Sequence, residues 1–361
     1  MLRRTAAIAA SSMALALAVG TAAPAAAETS APHDLYVYGH SWTTGYGMSD
    51  PSQAYPNLVA ADRGETLHNR GRNGPMVHQV ADYVLGDSDG TWRAGTAGDV
   101  LFQAVTNTAR DLGVDSLALT TTRNALRAMV ATVSASRRIE DTDHSHGYHG
   151  TWHTQRLSGA SGGAMHVTTR NNSYVQFRAV GGEYLVLRGV SGTGITVRLS
   201  DRTAFHTVTR IRTGHRVHPS YGRSGIALLY RVPSRMAAHT IRLTKESGSG
   251  NFMFDARLPQ QRHPDEVVLL KEPYLLDYSI STAHPNGDDH VMDVFNAVLD
   301  QVGAEFPHTV VVDPNSRGWD KQTMLFAQST HPNEAGSRFL ADLIDRGLRA
   351  ASAGRGPGRP G

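Results

Sequence analysis

The spacing of apolar residues changes twice along this 361-residue chain, and no other feature constrains its fold as strongly. From Asp34 to about Arg138, short apolar runs alternate with stretches at helical spacing. Leu35-Tyr36-Val37-Tyr38, ending at Gly39, reads as a first strand, Thr66-Leu67-His68 as a second and Asp99-Val100-Leu101-Phe102 as a third. Tyr55 to Ala61, the set Val77, Val80, Val84 and Leu85, and the longer stretch Leu117 to Val133 read as helices. From about Asp141 to Arg257 the period falls to about 2. Val175, Phe177 and Ala179 alternate with polar neighbours, as do Ile195, Val197 and Leu199, then Ile226, Leu228, Tyr230 and Val232, then Ile241 and Leu243. Gly and Ser clusters separate these runs. The first pattern then resumes, with Glu266 to Lys271 and Thr309 to Val312 as strands and Val291 to Val302 as a helix. Phe339, Leu340, Leu343, Ile344 and Leu348 form the stripe of a final helix.

Strands alternating with helices predict a mainly parallel sheet covered on both faces, and several short alternating strands predict an antiparallel sandwich. The fold class read from the sequence is therefore α/β. A three-layer, doubly wound parallel sheet is interrupted by an inserted antiparallel β-sandwich or jelly-roll domain. The expected segments are a leader over 1–27, α/β halves over 28–140 and 263–352, the insertion over 141–262 and a Gly/Pro/Arg tail over 353–361.

The leader has the three parts of a secretory signal: Arg3 and Arg4, an apolar stretch from Ala6 to Val19, and Ala25-Ala26-Ala27 before Glu28. Export with cleavage near Ala27 is expected. No later run approaches the ~18 apolar residues of a membrane span, so stable membrane insertion is not expected. The absence of Cys excludes a disulfide scaffold, thiolate chemistry and Cys-ligated metal. The formal charge is +3, but Arg3, Arg4, Arg355 and Arg359 lie at the chain ends, which leaves the body close to neutral. No stretch of the sequence is a basic stripe, and nucleic acid is not an expected partner.

Three segments follow strands of the α/β pattern, at the edge where ligands of such sheets bind. Gly39-His40-Ser41-Trp42 places a hydroxyl on a tight turn. Asn69-Arg70-Gly71-Arg72-Asn73-Gly74 offers backbone N–H groups that can approach an anion. Thr106-Asn107 brings a side-chain amide. A Ser hydroxyl needs a base near neutral pH. His331, in Ser329-Thr330-His331-Pro332-Asn333-Glu334-Ala335-Gly336, stands before the last helix, stiffened by Pro332. The Gly-x-Ser-x-Gly elbow of α/β-hydrolases does not fit, because Thr43 stands where its second Gly would be.

In these segments the sequence resembles the SGNH hydrolases, also called the GDSL esterase/lipase family, over about 34 to 138 and 263 to 350. Gly39-His40-Ser41 is similar to the block that supplies the nucleophile, with His40 where Asp is usual. Asn69 to Gly74 is similar to the Asn-x-Gly-x-x-Gly block. Asn107 falls in the third block, with Val105 for its Gly and Thr108 for its Asp. His331 with Pro332, Asn333 and Gly336 is similar to the block of the general base, with Gln328 where Asp is usual.

The resemblance implies a Ser41 nucleophile, a His331 base, and an oxyanion hole from the N–H groups of Ser41 and Gly74 and the amide of Asn107. Gln328 would be the residue orienting the imidazole. It implies a secreted serine esterase acting on an acylated carbohydrate, a lipid or a small ester, with no cofactor and no metal. The alternatives are a weakened scaffold that binds carbohydrate, or an acyltransferase using the same Ser-His pair. His40, Trp42 and Tyr46 are candidates to contact substrate. The run Asp143, His144, His146, His149 and His153 could hold a metal only by converging, and reads as a solvated junction.

Overall fold

The computed structural model describes residues 33–86, 98–190, 192–204, 206–214, 217–218, 226–233, 238–260, 266–278, 288–306, 308–327 and 329–353. The leader, the tail past Ala353 and Gln328 lie outside the described residues. Among those described, no helix is long and apolar enough to cross a membrane.

In chain order the first part holds β1 (Asp34–Gly39), α1 (Ser41–Thr44), α2 (Tyr55–Arg63), β2 (Thr66–Asn69), α3 (Val77–Leu85), β3 (Asp99–Gln103), α4 (Thr106–Leu112) and α5 (Ser116–Val133). The Asp115 carboxylate caps α5 by accepting from the N–H groups of Leu117 and Ala118 at 2.8 and 2.9 Å. The sequence did not predict α4, whose seven residues are too few to show a period.

Among the described residues eleven strands follow: β4 (Ile139–Glu140), β5 (Gly147–His149), β6 (His153–Arg156), β7 (Ala164–Thr168), β8 (Tyr174–Ala179), β9 (Tyr184–Gly189), β10 (Ile195–Asp201), β11 (His206–Thr213), β12 (Ile226–Arg231), β13 (His239–Ser247) and β14 (Phe252–Leu258). The last part holds β15 (Glu266–Leu270), α6 (Asp289–Glu305), β16 (Thr309–Val312), α7 (Lys321–Met324) and α8 (Glu334–Ala353).

Strands β2-β1-β3-β15-β16 form one sheet in that order, and every pairing in it is parallel. The chain steps from β1 to β2 on one side and then to β3 on the other. Right-handed crossovers therefore put α2 on one face and α3 on the opposite one. Consistent with this, α2 packs against α8, and α3 and α6 pack against α5. Strands β3 and β15 are buried along their whole length, which is why they read as unbroken apolar runs. The point between β1 and β3 where the order reverses is the crevice in which such sheets bind ligands.

The antiparallel strands form two sheets, β11-β10-β13-β8-β5 and β12-β9-β14-β7-β6. They share a core: Val175, Phe177, Val197, Leu199, Ile241 and Leu243 of the first meet Leu185, Leu187, Leu228, Phe252 and Phe254 of the second. The opposite side of the second sheet belongs to the α/β core through Tyr184, Val186, Ile226, Ala227, Ala256 and Leu258. That sheet is thus a middle layer, and the first sheet is the outermost.

Candidate active site

The turn after β1 is shaped by crowding. A Cβ on Gly39 would lie 2.4 Å from both the Gln103 carbonyl oxygen and Thr43 Cγ2, so only glycine fits. The His40 N–H donates to that Gln103 carbonyl at 3.2 Å, tying the turn to β3. Ser41 is the first residue of α1, where a backbone N–H has no intrahelical acceptor.

His331 arrives from the other end of the chain. Its Nε2 lies 2.9 Å from Ser41 Oγ. The corner holding it is closed by Asn333, whose Nδ2 donates to the carbonyls of Thr323 and Leu325 at 2.8 and 3.2 Å and whose Oδ1 accepts from the Gly336 N–H at 3.0 Å. Ser329 Oγ sits 3.2 Å from His331 Nδ1 and accepts from the His331 N–H at 3.1 Å. A neutral ring with its proton on Nδ1 satisfies both contacts: Nδ1–H donates to Ser329, and bare Nε2 accepts from Ser41. Burial of the ring pushes its pKa down to about 4, and His40 and Arg110 nearby act in the same direction. The half-exposed Tyr46 ring lies tilted over the imidazole, with centroids 4.9 Å apart, at the rim of the site.

The second loop is fastened to this turn. Asn69 Nδ2 donates to the Thr43 carbonyl at 2.6 Å, Thr44 Oγ1 to Asn73 Oδ1 at 2.8 Å, and the Arg72 N–H to the Gly39 carbonyl at 3.0 Å. Gly74 has φ +78°, and its Cβ position is open, so backbone conformation alone calls for glycine there. Asn107, on the first turn of α4, donates from Nδ2 to the Pro75 carbonyl at 3.0 Å. That bond joins the residue after Gly74 to the α4 turn. Thr108 Oγ1 accepts from the Val77 N–H at 2.9 Å and holds α3 to the same turn.

Two of the expected substrate contacts lie in the interior instead. Trp42 is buried and stacks on Trp319, with centroids 5.8 Å apart. His40 is fully buried, its Nδ1 accepts from the Trp42 N–H at 3.3 Å and its Nε2 lies 3.1 Å from Glu272 Oε2. As neighbours of Ser41 on a tight turn, they point away from the face that carries the hydroxyl.

The sequence reading did not single out Glu272. It follows β15 and is fully buried. Besides His40, its carboxylate accepts from the Val105 N–H and from Thr106 Oγ1, each at 2.6 Å. Burial works to raise its pKa, but His40, Thr106 and Val105 more than offset this and hold the carboxyl below the usual range. Glu272 is therefore an ionised group joining the ends of β1, β3 and β15 through His40, Val105 and Thr106, the first and last of them neighbours of Ser41 and Asn107. Its signal in the sequence was an acidic residue just past the apolar run Val267 to Leu270, at the ligand-binding edge.

The His-rich run does not converge. His146 packs edge-on against Phe177 and Phe254, while His149 stacks on Tyr174. Among the described residues, the group that could hold a cation is His33, Glu65 and Asp99, near the amino ends of the parallel strands. Arg63 already bridges two of its members, at 2.6 Å to Glu65 and 3.0 Å to Asp99.

No protein-family model and no curated protein matches the chain. Solved structures similar to it include the hemagglutinin-esterase of porcine torovirus, at 10% identity and a TM-score of 0.43, over 86% of each chain. A protein of the lipolytic G-D-S-L family from Desulfitobacterium hafniense DCB-2 is 9% identical with a TM-score of 0.40, over 87% of this chain and 98% of that one. A two-domain esterase active on acetylated mannans is 8% identical with a TM-score of 0.35, over 64% of this chain and 92% of that one.

Proposed function

We propose that this chain is a secreted carboxylic ester hydrolase of the SGNH type, built from 28–140 and 263–352 with 141–262 as the inserted domain. The observation that carries the reading is the 2.9 Å contact between Ser41 Oγ and His331 Nε2 at the carboxyl edge of the parallel sheet, beside the switch point.

The chemistry follows from that contact. Ser41 Oγ attacks the ester carbonyl carbon while its proton passes to His331 Nε2. The oxyanion takes hydrogen bonds from the Ser41 and Gly74 N–H groups and from the Asn107 amide, whose second Nδ2 proton is not needed by Pro75. The tetrahedral intermediate collapses as the carbonyl re-forms, the C–O bond to the alcohol breaks, and Nε2 returns the proton to the departing alkoxide. Water repeats the sequence on the acyl-enzyme, releasing the acid and restoring Ser41. Substrates are esters of glycans, lipids or small alcohols. Tyr46, exposed beside His331, contacts them.

A second reading has its own observation. Among the described residues, the partner of His331 Nδ1 is a hydroxyl, which offers no charge to the imidazolium formed during attack. A triad without its carboxylate can lose about 10⁴-fold in rate. This favours slow turnover, whether the acyl-enzyme passes to water or to a bound hydroxyl, over rapid hydrolysis.

The test is hydrolysis of p-nitrophenyl acetate and butyrate by the wild type and by Ser41→Ala. Turnover in the wild type, reduced by about 10³-fold or more in a folded variant, is the expected result. Equal rates in the two proteins would remove Ser41 from the reaction.

A further inference from the structure

The outermost sheet carries a charge pattern that the ester chemistry does not use. Its inner residues fill the sandwich core, so the alternate residues of β8, β13, β10 and β11 face outward. The pairing registers set these outward residues in rows. Tyr174, Thr244, Arg198 and Arg210 lie side by side across the four strands, as do Gln176, Arg242, Ser200 and Thr207. Arg178 pairs with Thr240 above them, and Arg212 with Thr196 below. Five arginines thus share one face. Among the described residues a single carboxylate, Glu246, joins them.

Like charges directly opposite one another destabilise a sheet, yet Arg198 and Arg210 are cross-strand partners. Arg210 is answered by Glu246, which receives Nε at 2.6 Å and Nη2 at 3.1 Å in a two-pronged contact. Glu246 also feels the charge of Arg198, and among the described residues the other three have no carboxylate on the face. Arg242 donates to the neutral Gln176 Oε1 at 3.1 and 2.8 Å. Arg178 and Arg212 are exposed, and Arg198 Nε is buried without a partner. Strands ~4.8 Å apart, with outward residues ~6.7 Å apart along each, make this a grid about 14 Å wide. Such a grid suits repeated charges on an extended polymer better than one small anion.

We propose that this face binds a carboxylated polysaccharide. Planar guanidinium groups fit planar carboxylates, and the Arg210–Glu246 contact shows such a pair already formed here. Nucleic acid suits the face less well. Among the described residues its aromatic ring, Tyr174, is occupied by Arg242 at 3.9 Å and by His149 at 4.4 Å, leaving no platform there for a base. A membrane surface suits it less well too, since the rows carry no exposed large apolar side chain to anchor in lipid. Holding a polymer here would raise the local concentration of its acyl groups at Ser41. The binding itself is independent of the ester chemistry.

The experiment is affinity electrophoresis of the full chain through gels containing polygalacturonate or neutral galactan. Polygalacturonate should retard the wild type, galactan should not, and added salt should weaken the effect. Arg178→Glu/Arg212→Glu should weaken retardation about tenfold or more while leaving p-nitrophenyl acetate turnover unchanged. Arg346→Glu/Arg349→Glu on α8 makes the same change in net charge and should leave retardation near the wild-type value. Four results would each overturn the proposal: no retardation of the wild type, equal retardation by galactan, equal loss in the α8 variant, or tighter binding to oligothymidylate or phosphatidylserine vesicles than to polygalacturonate.

Discussion

His331 meets a hydroxyl where a stronger base is usually backed by a carboxylate, and its ring is held neutral by burial instead. The proposed reaction requires that neutral form. With a pKa near 4, His331 is already unprotonated across the range where a solvated imidazole, titrating near 6.5, would be half charged. Lowering the pH through about 4 protonates Nε2 and removes the acceptor for the Ser41 proton. The value of kcat/KM for a neutral ester should therefore hold from pH 7 to about 5, then fall about tenfold per unit below pH 4. A break near 6.5 would show that the ring is solvated. Glu272 makes a separate claim. Replacing it with Gln keeps the shape but puts an amide against three donors, and His40 cannot reverse its ring roles because Nδ1 already accepts from Trp42. Losing a charged hydrogen bond costs about 1.5–3 kcal/mol. Glu272→Gln should thus lower kcat by about 10- to 100-fold with little change in KM, in a protein whose circular dichroism is unaltered. Unchanged kcat would make Glu272 a purely structural anchor. Ser41 and His331 were legible because each stands at a boundary marked by Gly or Pro. Glu272 was not, since its meaning depends on β15 lying beside β3 and β3 beside β1.

Elements were legible wherever one face is wet or a run is long. The strands at 34–39, 99–103 and 309–312, the helix α5 and the alternating strands β8, β10, β12 and β13 lie where apolar spacing put them. Strands β9 and β14 escaped notice for the opposite reason. Every residue in them is buried, because the middle sheet is covered by the outer sheet on one side and by α3 and α5 on the other. Alternation vanishes under those conditions. Their buried Arg188, Asp255 and Arg257, with Glu183 just before β9, further disguise them as surface segments. The cationic face shows the same limit from the outside. Each of its strands contributes only one or two arginines, and although residues 202–245 hold eight Arg and one Lys with no Asp or Glu, the sequence does not say which of them share a face. Register across four strands collects them, and register is decided by tertiary pairing.

At the scale of the whole molecule, the two architectures are joined by a buried charge cluster. Arg188 of β9 is fully buried, with Nε 2.8 Å from Asp255 of β14, Nη1 2.6 Å from Asp82 of α3, and Nη2 on the Gly159 carbonyl. It is the cation for a carboxylate in each architecture. Removing one partner of such a cluster leaves the others buried and uncompensated, which typically costs 3–5 kcal/mol or about that. Arg188→Met, which keeps much of the side-chain volume, should lower unfolding stability by about this amount at pH 7. The sign of its pH dependence follows from Asp255. Burial, partly countered by Arg188, raises the Asp255 pKa to about 6, above its unfolded value near 3.8. A raised carboxyl binds its proton more tightly when folded, so its contribution is present at low pH and lost as pH rises through 6. Without Arg188 the folded pKa rises further and that loss deepens. The stability gap between wild type and variant should consequently be larger at pH 7 than at pH 5, as read from urea unfolding at the two values. A gap independent of pH would mean that the variant acts through packing alone, with Asp255 finding another cation or water when Arg188 is gone.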